Sequence, residues 1–487
     1  MTILTIAAIA LPLFVGFSIY LFPKLDRYLT LGVAIFSGAY GLQLLFNSSP
    51  LTLKLLDNFG VTVVADELSG YLILTNGLVT AAVILYCWGQ GKSAFFYIQA
   101  IILHGSVNAT FICGDLLSLY VALEVLGIAA FLLIAYPRTD RSIWVALRYL
   151  FVSNTAMLFY LVGVALVYQA NHSFAFEGVQ ESPPEAIALI LMGLLAKGGV
   201  FVSGLWLPLT HSESETPVSA LLSGVVVKAG VFPLVRLALI AGELDGAIRI
   251  FGVATALLGA AYAIFETDAK RMLAWSTISQ LGFILVAPAA GGFYALTHGL
   301  VKSTLFLSAG SLPSRNFSEL RGRPMPTGLW FVILAASLSI SGFPLFAGFG
   351  AKALTLKDLQ PWQAIAMNVA AVGTATYFAK FIFLPHRSRP ESGPQKPIPP
   401  GFWFAAALAI AALVLANGLY YPGYAVANPT VLKSLGTIGL GWLAYWAVFR
   451  DVALRLPRVL EKLEHLIGMM SLMLILLFWL VLWRVTP

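Results

Sequence analysis

The chain has 487 residues, of which 59% are hydrophobic and only 10% are charged. Soluble domains carry about 25% charged residues, so this composition excludes a soluble globular protein and indicates a polytopic membrane protein. The net charge of +7 comes from basic residues scattered among short loops, which excludes a nucleic-acid-binding face, and the two cysteines, Cys87 and Cys113, form no disulfide framework, zinc motif or iron–sulfur motif.

Windows of about 20 apolar residues predict sixteen membrane spans along the chain. The spans start near residues 3, 28, 70, 95, 115, 143, 184, 217, 246, 272, 292, 328, 362, 402, 431 and 466. The first span, 3–22, has no basic residues before it, and Lys24 and Arg27 follow it. This order is opposite to that of a cleaved secretory signal, so we predict a retained span with the N-terminus outside.

The basic residues of the loops are concentrated on one side of the predicted membrane. Loops after odd-numbered spans hold 17 lysines and arginines, whereas loops after even-numbered spans, together with the C-terminal end, hold five. Those five are Lys54, Arg249, Lys357, Lys433 and Arg484. The positive-inside rule therefore predicts cytoplasmic odd-numbered loops and both termini outside, in the plasma membrane or, as an alternative, in a thylakoid membrane.

Glycine and proline interrupt two of the predicted spans. Segment 184–209 contains the sequences KGG and WLP, and segment 328–356 contains SGFP and GFG. Such interruptions in corresponding positions of two halves are typical of a transport site. The two segments are the seventh and twelfth spans, and an offset of five implies two units of opposite topology, as in an inverted repeat.

These features divide the chain into five predicted parts. They are the first three spans (1–94), a first inverted repeat of spans 4–8 (95–240), a second inverted repeat of spans 9–13 (246–385), a polar, proline-rich cytoplasmic loop (386–401) and spans 14–16 (402–487). Within the last part, residues 450–465 are predicted to form an amphipathic, basic connection on the cytoplasmic side.

Single charged residues lie at the centres of four predicted spans: Glu124, Lys197, Lys228 and Lys302. Each costs about 2.5–3.5 kcal/mol on insertion scales, and four in one chain are hard to explain by packing. They predict a buried path for ions or protons, in which a movable Glu124–Lys197 pair switches the lysine between holding and releasing a proton. The alternatives are a neutral Glu124 bonded to a neighbouring helix, and lysines that extend to an interface.

Two further titratable residues extend this path. His298 lies four residues before Lys302 and hence on the same helical face, which suits a proton relay, although a buried histidine can also be a satisfied hydrogen-bond partner. Lys352 follows the interruption in the twelfth span, where unwound backbone suits a proton exit; the alternative is an interfacial lysine that anchors the half-helix.

Two other polar groups are predicted to serve structure. The first, at a cytoplasmic helix start, is expected to cap the helix and to set topology, and consists of Asp268, Lys270 and Arg271. The second is expected to lie in an outer loop, solvated or capping the next helix, and consists of His211, Glu213 and Glu215.

Six sequence blocks within residues 60–385 resemble, in the same order, the antiporter-like subunits shared by respiratory complex I and Mrp-type multisubunit cation/proton antiporters. The blocks are VVADELSGYLIL, CGDLLSLYVALEVLGIAAFLL, WLPLTHSESETPVSALLSGVVVKAGVFPLVR, TDAKRMLAWSTISQLGFILV, HGLVKSTLFLSAG and SGFPLFAGFGAK. The third block is the most diagnostic of them.

The resemblance implies an all-α fold with a fourteen-helix core, two inverted five-helix repeats and broken seventh and twelfth helices. It implies that Glu124 and Lys197 form a switching ion pair and that Lys228 links the two repeats. It further implies that His298 and Lys302 continue the path and that Lys352 is the terminal proton site. The implied partners are other membrane subunits of a hetero-oligomeric assembly, and no cofactor is implied.

The sequence departs from the family pattern in several places. Gly204 and Tyr294 stand where the family often has histidines, and Leu209 stands where it usually has an aspartate. Two spans, 431–449 and 466–484, lie beyond the fourteen-helix core and carry no central charge, so we predict that they contact partner subunits.

The sequence therefore predicts a proton-translocating subunit of a multisubunit Na⁺/H⁺ antiporter, a transporter subunit and not itself an enzyme. The block SALLSGVVVKAGV and the lysine at 352 resemble the D-type member of the Mrp antiporters most. The alternative is a proton-pumping subunit of a complex I-type NADH or ferredoxin:quinone oxidoreductase. A third interpretation is a proton-channel partner of an inorganic-carbon or other ion uptake system.

Overall fold

The computed structural model describes residues 1–47, 49–56, 61–388, 397–420, 428–450, 452, 454 and 457–485, with the backbone alone for 419, 420, 428, 429 and 483–485. Its helices are α1 (Thr2–Leu21), α2 (Asp26–Phe46), α3 (Glu67–Cys87), α4 (Ala94–Ile112), α5 (Leu116–Ile134), α6 (Asp140–Asn171), α7 (Pro184–Gly198), α8 (Leu207–Glu213), α9 (Thr216–Leu221), α10 (Val227–Ile240), α11 (Gly242–Phe265), α12 (Ala269–Val286), α13 (Gly291–Ala309), α14 (Phe317–Leu320), α15 (Thr327–Ser341), α16 (Ala347–Lys357), α17 (Pro361–Ile382), α18 (Pro400–Tyr420), α19 (Asn428–Ala444) and α20 (Leu463–Val485). Half of the predicted 386–401 loop and part of the 450–465 connection lie outside the described residues.

Four short strands accompany the helices. The strands β1 (Leu51–Lys54) and β2 (Thr62–Ala65) form an antiparallel hairpin between α2 and α3. The strands β3 (Met325–Pro326) and β4 (His386–Arg387) pair in parallel over two residues. Both sheets lie in connections between helices, and Val63, Ala65 and Met325 of these strands pack into the hydrophobic core.

All sixteen predicted spans coincide with helical segments, which confirms the helical membrane fold. Thirteen of the described segments are long and apolar enough to cross a membrane. The other three spans correspond to α12 and α13, which meet at a bend of 113° across Pro288–Ala290, and to the broken pair α15–α16. The chain is thus an integral, multi-pass membrane protein, whereas its division into two inverted repeats stays a prediction.

The seventh and twelfth spans are broken as predicted, and a glycine ends the first half of each. Gly199 (φ +71°) follows α7 and Gly342 (φ +97°) follows α15, both in the left-handed region that glycine adopts without steric cost. After the first break, a 3₁₀ turn (Phe201–Trp206) leads into α8, and after the second, α16 begins within five residues. The breaks free backbone groups inside the bundle.

The eighth span contains a second kind of irregularity. It runs through α9, a π-helical turn (Leu222–Val226) and α10 without leaving the helix axis. A π turn inserts an extra residue and leaves a backbone carbonyl without its usual partner, and such turns are frequent at functional sites. Lys228 is the second residue after this turn.

Two helices form the centre of the bundle. Every residue of α12 and every residue of α13 is buried, including polar ones. A helix that is buried on all sides lies inside a larger assembly of helices and not at the lipid surface. By contrast, α1 and α20 expose large apolar side chains, such as Phe14 and Ile475, as helices that face lipid do.

The two helices beyond the fourteen-helix core pack inside the same chain, one against the thirteenth span and the other against the broken seventh span. The helix α19 packs on α17, and the Ser434 hydroxyl donates to the carbonyl of Gly342, at the second break, over 2.6 Å. The helix α20 packs on α7 and on the Phe201–Trp206 turn at the first break. The predicted contacts with partner subunits are therefore confined to the outer faces of these helices, where they stay a prediction.

Ion pairs bear on one prediction about the loop between α8 and α9. Glu215 accepts a hydrogen bond from Lys92 at 2.7 Å, and Glu213 lies 3.5 Å from Arg141. Both basic residues belong to loops after odd-numbered spans, and we call this end of the molecule the basic end. The loop of Glu213 and Glu215 therefore lies at the same end as the loops predicted to be cytoplasmic, which conflicts with its separate prediction as an outer loop; the orientation itself stays a prediction.

Candidate functional site

The predicted pair of the first unit is close in space but is not bonded. The Lys197 amine lies in the last turn of α7 and donates to the Ser153 hydroxyl of α6 at 2.6 Å. The amine also packs against Gly127 of α5, which lies one turn after Glu124. A Cβ added to Gly127 would lie 3.0 Å from the amine nitrogen. The Glu124 Oε1 atom is buried and has no hydrogen-bond partner among the described residues. Ser153 holds the amine away from the carboxylate.

The amine of Lys228 is bonded to the π-helical turn. The side chain is 1% exposed, and its Nζ donates to the carbonyl of Ser223 at 2.9 Å. The accepting carbonyl belongs to the second residue of the π turn, so the amine is bonded directly to the irregular backbone. The Ser223 hydroxyl in turn bonds Thr277 of α12 at 2.8 Å. The local irregularity of the eighth span therefore positions this lysine between α10 and the central helices.

His298 lies next to Lys228 in the central helix α13. A Cβ added to the neighbouring Gly299 would lie 3.7 Å from Lys228 Cε, so the lysine stem packs directly on α13. The imidazole is fully buried, and neither ring nitrogen has a hydrogen-bond partner among the described residues. His298 is therefore not the hydrogen-bonded structural histidine that the sequence left as an alternative. An unpartnered buried imidazole has both a donor and an acceptor position available.

Lys302, one turn further along α13, is bonded to α12. Its amine donates to the Ser276 hydroxyl and, at 3.0 Å, to the carbonyl of Leu273. It also lies 5.5 Å from the ring centroid of Phe378 in α17. The side chain is fully buried, so it does not extend to an interface.

Lys352 lies at the second break. Its amine donates to the carbonyl of Ser341 at 3.3 Å and lies 5.5 Å from the ring centroid of Phe283 in α12. Its stem packs against Gly342, the glycine that ends α15. Lys352 is therefore bonded to the backbone at the break, and its side chain is buried.

The five buried lysines, the four of the predicted path and Lys270 of α12, share one kind of environment. Each amine is bonded to a serine, through its hydroxyl or its carbonyl, and the pairs are Lys197–Ser153, Lys228–Ser223, Lys270–Ser214, Lys302–Ser276 and Lys352–Ser341. Among the residues that the structure describes, no carboxylate lies within salt-bridge distance of these amines. Buried charges are ordinarily paired, so a row of amines held by neutral oxygens is unusual.

Sequence reasoning missed a polar cluster between Lys302 and Lys352. Tyr294 donates to the Gln280 carbonyl oxygen at 2.6 Å, and the Gln280 amide nitrogen donates to Thr374 at 3.1 Å and to Tyr377 at 3.3 Å. All four residues are buried. A glutamine at the centre of an apolar span was the available signal, together with the tyrosine that replaces a family histidine.

A second polar cluster joins α2, α3 and α4. His104 bonds Thr80 at 3.0 Å through Nδ1 and Ser37 at 2.8 Å through Nε2, and Asn108 donates to Ser37 at 3.0 Å. Both ring nitrogens are satisfied, unlike those of His298. This cluster fixes the packing of the first helices and lies apart from the row of lysines.

His211 occupies a different place from the one predicted. The sequence suggested a solvated or capping residue, but the side chain is fully buried in α8 and stacks on Phe306 at a centroid distance of 5.1 Å. That prediction is wrong because α8 is short but lies inside the bundle. The capping role predicted for Asp268 is present, since its carboxylate accepts from the backbone nitrogen of Arg271.

One departure from the family pattern has a steric reason. Gly204 lies in the turn after the first break, and a Cβ there would collide with the backbone of Gly199. No histidine fits at this position. The contact between the two glycines allows the sharp turn, so the first unit lacks a titratable group that related chains often have.

The described residues contain no group of three or more histidines, cysteines or acidic residues that could hold a metal ion. What the row of amines and the imidazole can do is exchange protons, because each can bind or release one without a change in heavy-atom structure.

Comparisons with known proteins agree with these features. Residues 113–378 match the family described as NADH:quinone oxidoreductase/Mrp antiporter, TM. The N subunit of the NADH-quinone oxidoreductase of Desulforudis audaxviator is 30% identical over 432 residues, which cover 79% of this chain and 85% of that protein. The D-type protein of the Na⁺/H⁺ antiporter of Alkalihalophilus pseudofirmus is 26% identical over 421 residues, which cover 77% and 85%.

Among solved structures, a chain of the Mrp complex from Dietzia sp. DQ12-45-1b superimposes with a TM-score of 0.75 at 21% identity. The match covers 96% of this chain and 100% of that one, which shows a shared fold. With a family match over more than half of its length, and with a relative at 30% identity, the chain belongs to the NADH:quinone oxidoreductase/Mrp antiporter transmembrane family.

Proposed function

We propose that this chain is a proton-translocating subunit of a multisubunit membrane assembly. In this proposal protons move along six residues, namely Glu124, Lys197, Lys228, His298, Lys302 and Lys352. One observation carries the proposal: four lysine amines lie buried in the bundle and are bonded only to neutral oxygens of serines and backbone. Packing alone gives no reason to bury four unpaired amines.

The chemistry of such an amine suits proton transfer. A permanent carboxylate partner would fix a lysine in its charged form, whereas a hydroxyl accepts from an ammonium and donates to a neutral amine. The two protonation states can then alternate with little rearrangement. Changing the charge of one lysine changes the energy of its neighbours, so a proton that enters at one position promotes the release of a proton further along.

In the first unit, the switch would be a movement of Lys197. Its amine now bonds Ser153 and packs against Gly127. Glu124, one turn before Gly127, has a buried carboxylate oxygen without a hydrogen-bond partner among the described residues. Protonation or cation binding at Glu124 would weaken its attraction for the amine, which would return to Ser153 and pass its proton toward Lys228. The observed bond to Ser153 corresponds to the released position.

For the parent assembly we propose a Na⁺/H⁺ antiporter of the Mrp type, with other membrane subunits as partners. The lysine at 352 and the sequence of the eighth span support this assignment. The second candidate is a complex I-type oxidoreductase, favoured by the 30% identity to an N subunit of that enzyme. Proton translocation by this chain is common to both candidates.

Replacement of Lys228 by alanine tests the proton path. In everted vesicles that carry the chain with its native partner subunits, Lys228→Ala should lower driven proton transport about a hundredfold, because it removes the group that links the two units. Quenching of a pH-sensitive acridine dye measures the transport. The matched control is Lys433→Ala, an exposed lysine of α19, which should transport like the wild type. Normal transport by Lys228→Ala would exclude a single path through this residue.

The driving force identifies the parent assembly. In the same vesicles, proton movement that starts on addition of NaCl or KCl supports the antiporter, whereas movement that starts on addition of NADH or reduced ferredoxin supports the oxidoreductase. Purification through a tag on this chain gives an independent answer. Small membrane subunits alone support the antiporter, and iron–sulfur proteins in the preparation overturn it.

A further inference from the structure

The buried cluster around Gln280 lies on the line between two lysines of the proton path. On α12, Ser276 bonds the amine of Lys302, Gln280 follows four residues later, and the ring of Phe283 three residues after that lies under the amine of Lys352. These three positions share one face of the helix. They cover about 10 Å along its axis, so Gln280 lies between the two amines.

Contacts from the neighbouring helices complete the line. Tyr294 of α13 stacks on Phe283 with 5.6 Å between ring centroids and donates its hydroxyl proton to Gln280. Tyr377 of α17 accepts from Gln280, and the next residue along α17, Phe378, lies under the Lys302 amine. The two tyrosines therefore lie on opposite sides of the glutamine, one towards each lysine.

Every donor in the cluster is already used. The Gln280 nitrogen donates both its protons, one to Thr374 and one to Tyr377, and Tyr377 donates to Thr374 at 3.3 Å. Thr374 donates to the backbone carbonyl of Ala370 at 2.9 Å, where the chain of donors ends. A proton that arrives from Lys302 finds no free acceptor that could also release one towards Lys352.

The amide itself cannot replace a conducting group. A proton relay requires each member to accept a proton on one side and to release one on the other. A hydroxyl or an imidazole does so, whereas the nitrogen of a side-chain amide donates only and its oxygen accepts only. With Tyr294 donating to the oxygen and the nitrogen donating to Tyr377, no proton can pass from Tyr377 through the amide to Tyr294.

We propose that Gln280, with Tyr294, Thr374 and Tyr377, is a closed proton gate between Lys302 and Lys352. The inference rests on the proposed function and adds a point of control to it. The gate opens when the amide turns away from the two tyrosines, so that water enters the space between Lys302 and Lys352 and carries a proton from one lysine to the other. In the closed form the gate prevents protons from leaking through the second unit without a driving reaction.

Replacement of Gln280 by glutamate tests the gate. A protonated carboxyl accepts a proton on one oxygen as it releases one from the other, so Gln280→Glu should conduct without opening. An imposed pH gradient across vesicles carrying the full assembly, with no Na⁺, K⁺, NADH or ferredoxin added, should then decay about tenfold faster than in wild-type vesicles. Gln280→Met is the control: its apolar side chain is of similar size, fills the same space without admitting water and cannot carry a proton, so it should show no such leak. A Gln280→Glu assembly that is present in normal amount and is no leakier than wild type overturns the gate.

A second variant separates a gate from a relay. Tyr294→Phe removes the donor that holds the Gln280 oxygen, so the gate should loosen and the passive leak should rise. If Tyr294→Phe instead lowers driven transport and leaves the leak unchanged, the tyrosine conducts protons and the gate is wrong. Membrane content, measured by immunoblotting, normalises both variants.

A double variant fixes the position of the leak. In Gln280→Glu combined with Lys352→Ala, the leak should disappear, because the path beyond the gate is missing; a leak that persists overturns the placement of the gate before Lys352. The proposed function is tested separately by driven transport in Lys228→Ala. Normal driven transport in that variant, together with a leak in Gln280→Glu, would contradict the single path but retain the gate.

Discussion

At the scale of residues, the four lysines of the proposed path differ in which serine oxygen they bond. Lys197 and Lys302 bond serine hydroxyls, whereas Lys228 and Lys352 bond serine carbonyls. A hydroxyl can rotate and become the donor when the amine is neutral, but a carbonyl can only accept. We therefore expect the first two lysines to change protonation state more readily and the other two to depend on movement of the irregular backbone that holds them.

Removal of the Ser153 hydroxyl tests this distinction. In Ser153→Ala, Lys197 loses the acceptor of its released position and should pair with Glu124 instead, so driven proton transport should fall about tenfold. Ser153→Thr retains the hydroxyl and should restore most of the transport, which a purely structural role of the site would not predict. The measurement is the initial rate of dye quenching in everted vesicles. Equal transport by the alanine and threonine variants would show that the hydroxyl is not used.

Asp66 provides a residue-scale contrast, because here a charge is paired. It caps α3 by accepting from the Ser69 nitrogen at 2.9 Å and forms a two-pronged ion pair with Arg236 of α10. Burial opposes ionisation of this carboxyl, but the Arg236 guanidinium and the hydrogen bonds from Ser69 outweigh it and lower its pKa. With a lowered pKa, the carboxylate stabilises the fold above the pKa of free aspartate, 3.8, and this contribution is lost only as the pH falls through the lower value in the folded protein.

At neutral pH, Asp66→Asn should therefore destabilise the protein by about 2–4 kcal/mol, because it leaves Arg236 partly buried without its counter-ion. The control is Asp245→Asn, because Arg249 then keeps its second partner, Asp358, at 3.0 Å. This variant should lose much less unfolding free energy than Asp66→Asn. Thermal unfolding midpoints in detergent at pH 7 measure both. Equal midpoints for the two variants would contradict the role given to the pair.

At the scale of elements, the two C-terminal helices and the two broken spans form matching pairs. One helix, α19, contacts the break after α15, and the other, α20, contacts the break after α7. The connection between them crosses the basic end, where Glu461 pairs with Arg271 and its carbonyl accepts from Arg148. We therefore expect a shift of one broken span to move the C-terminal helix that contacts it.

Loss of the Glu461 carboxylate should weaken this connection. Arg271 also bonds Glu266 at 3.1 Å, so Glu461→Gln should cost only about 1–2 kcal/mol, less than breaking an isolated buried pair. The expected result is faster proteolytic cleavage before α20 in detergent, with the rest of the chain intact. Glu464→Gln, at an exposed position three residues later, is the control and should be cleaved like the wild type. Cleavage of both variants at the wild-type rate would show that the ion pair does not hold α20.

At the scale of the whole molecule, the proposed proton path passes through the spans in the order of the chain. The row begins with Lys197 at the first break, continues through Lys228 beside the π turn to His298 and Lys302 in the central helix, and ends with Lys352 at the second break. Each of these elements supplies at least one titratable group where its backbone is irregular or fully enclosed. The fold thus provides enclosed positions at both breaks and in the helices between them.

The sequence by itself determined much of this architecture. Apolar length predicted all sixteen helical segments, because a helix that crosses lipid must satisfy its own backbone and be apolar over about 20 residues. Glycine and proline predicted both breaks, because only glycine enters the left-handed conformation freely, as Gly199 and Gly342 do. The buried positions of the lysines followed from their central location in these segments.

Only the tertiary structure decided which groups the buried side chains meet. Lys197 bonds a serine 44 residues away and Lys302 one that is 26 residues away, and the Gln280 cluster joins three helices. Such partners depend on the rotation and depth of each helix, which apolar length does not specify. For the same reason the sequence predicted a Glu124–Lys197 pair where the fold has a Lys197–Ser153 bond, and left His211 in solvent where the fold buries it.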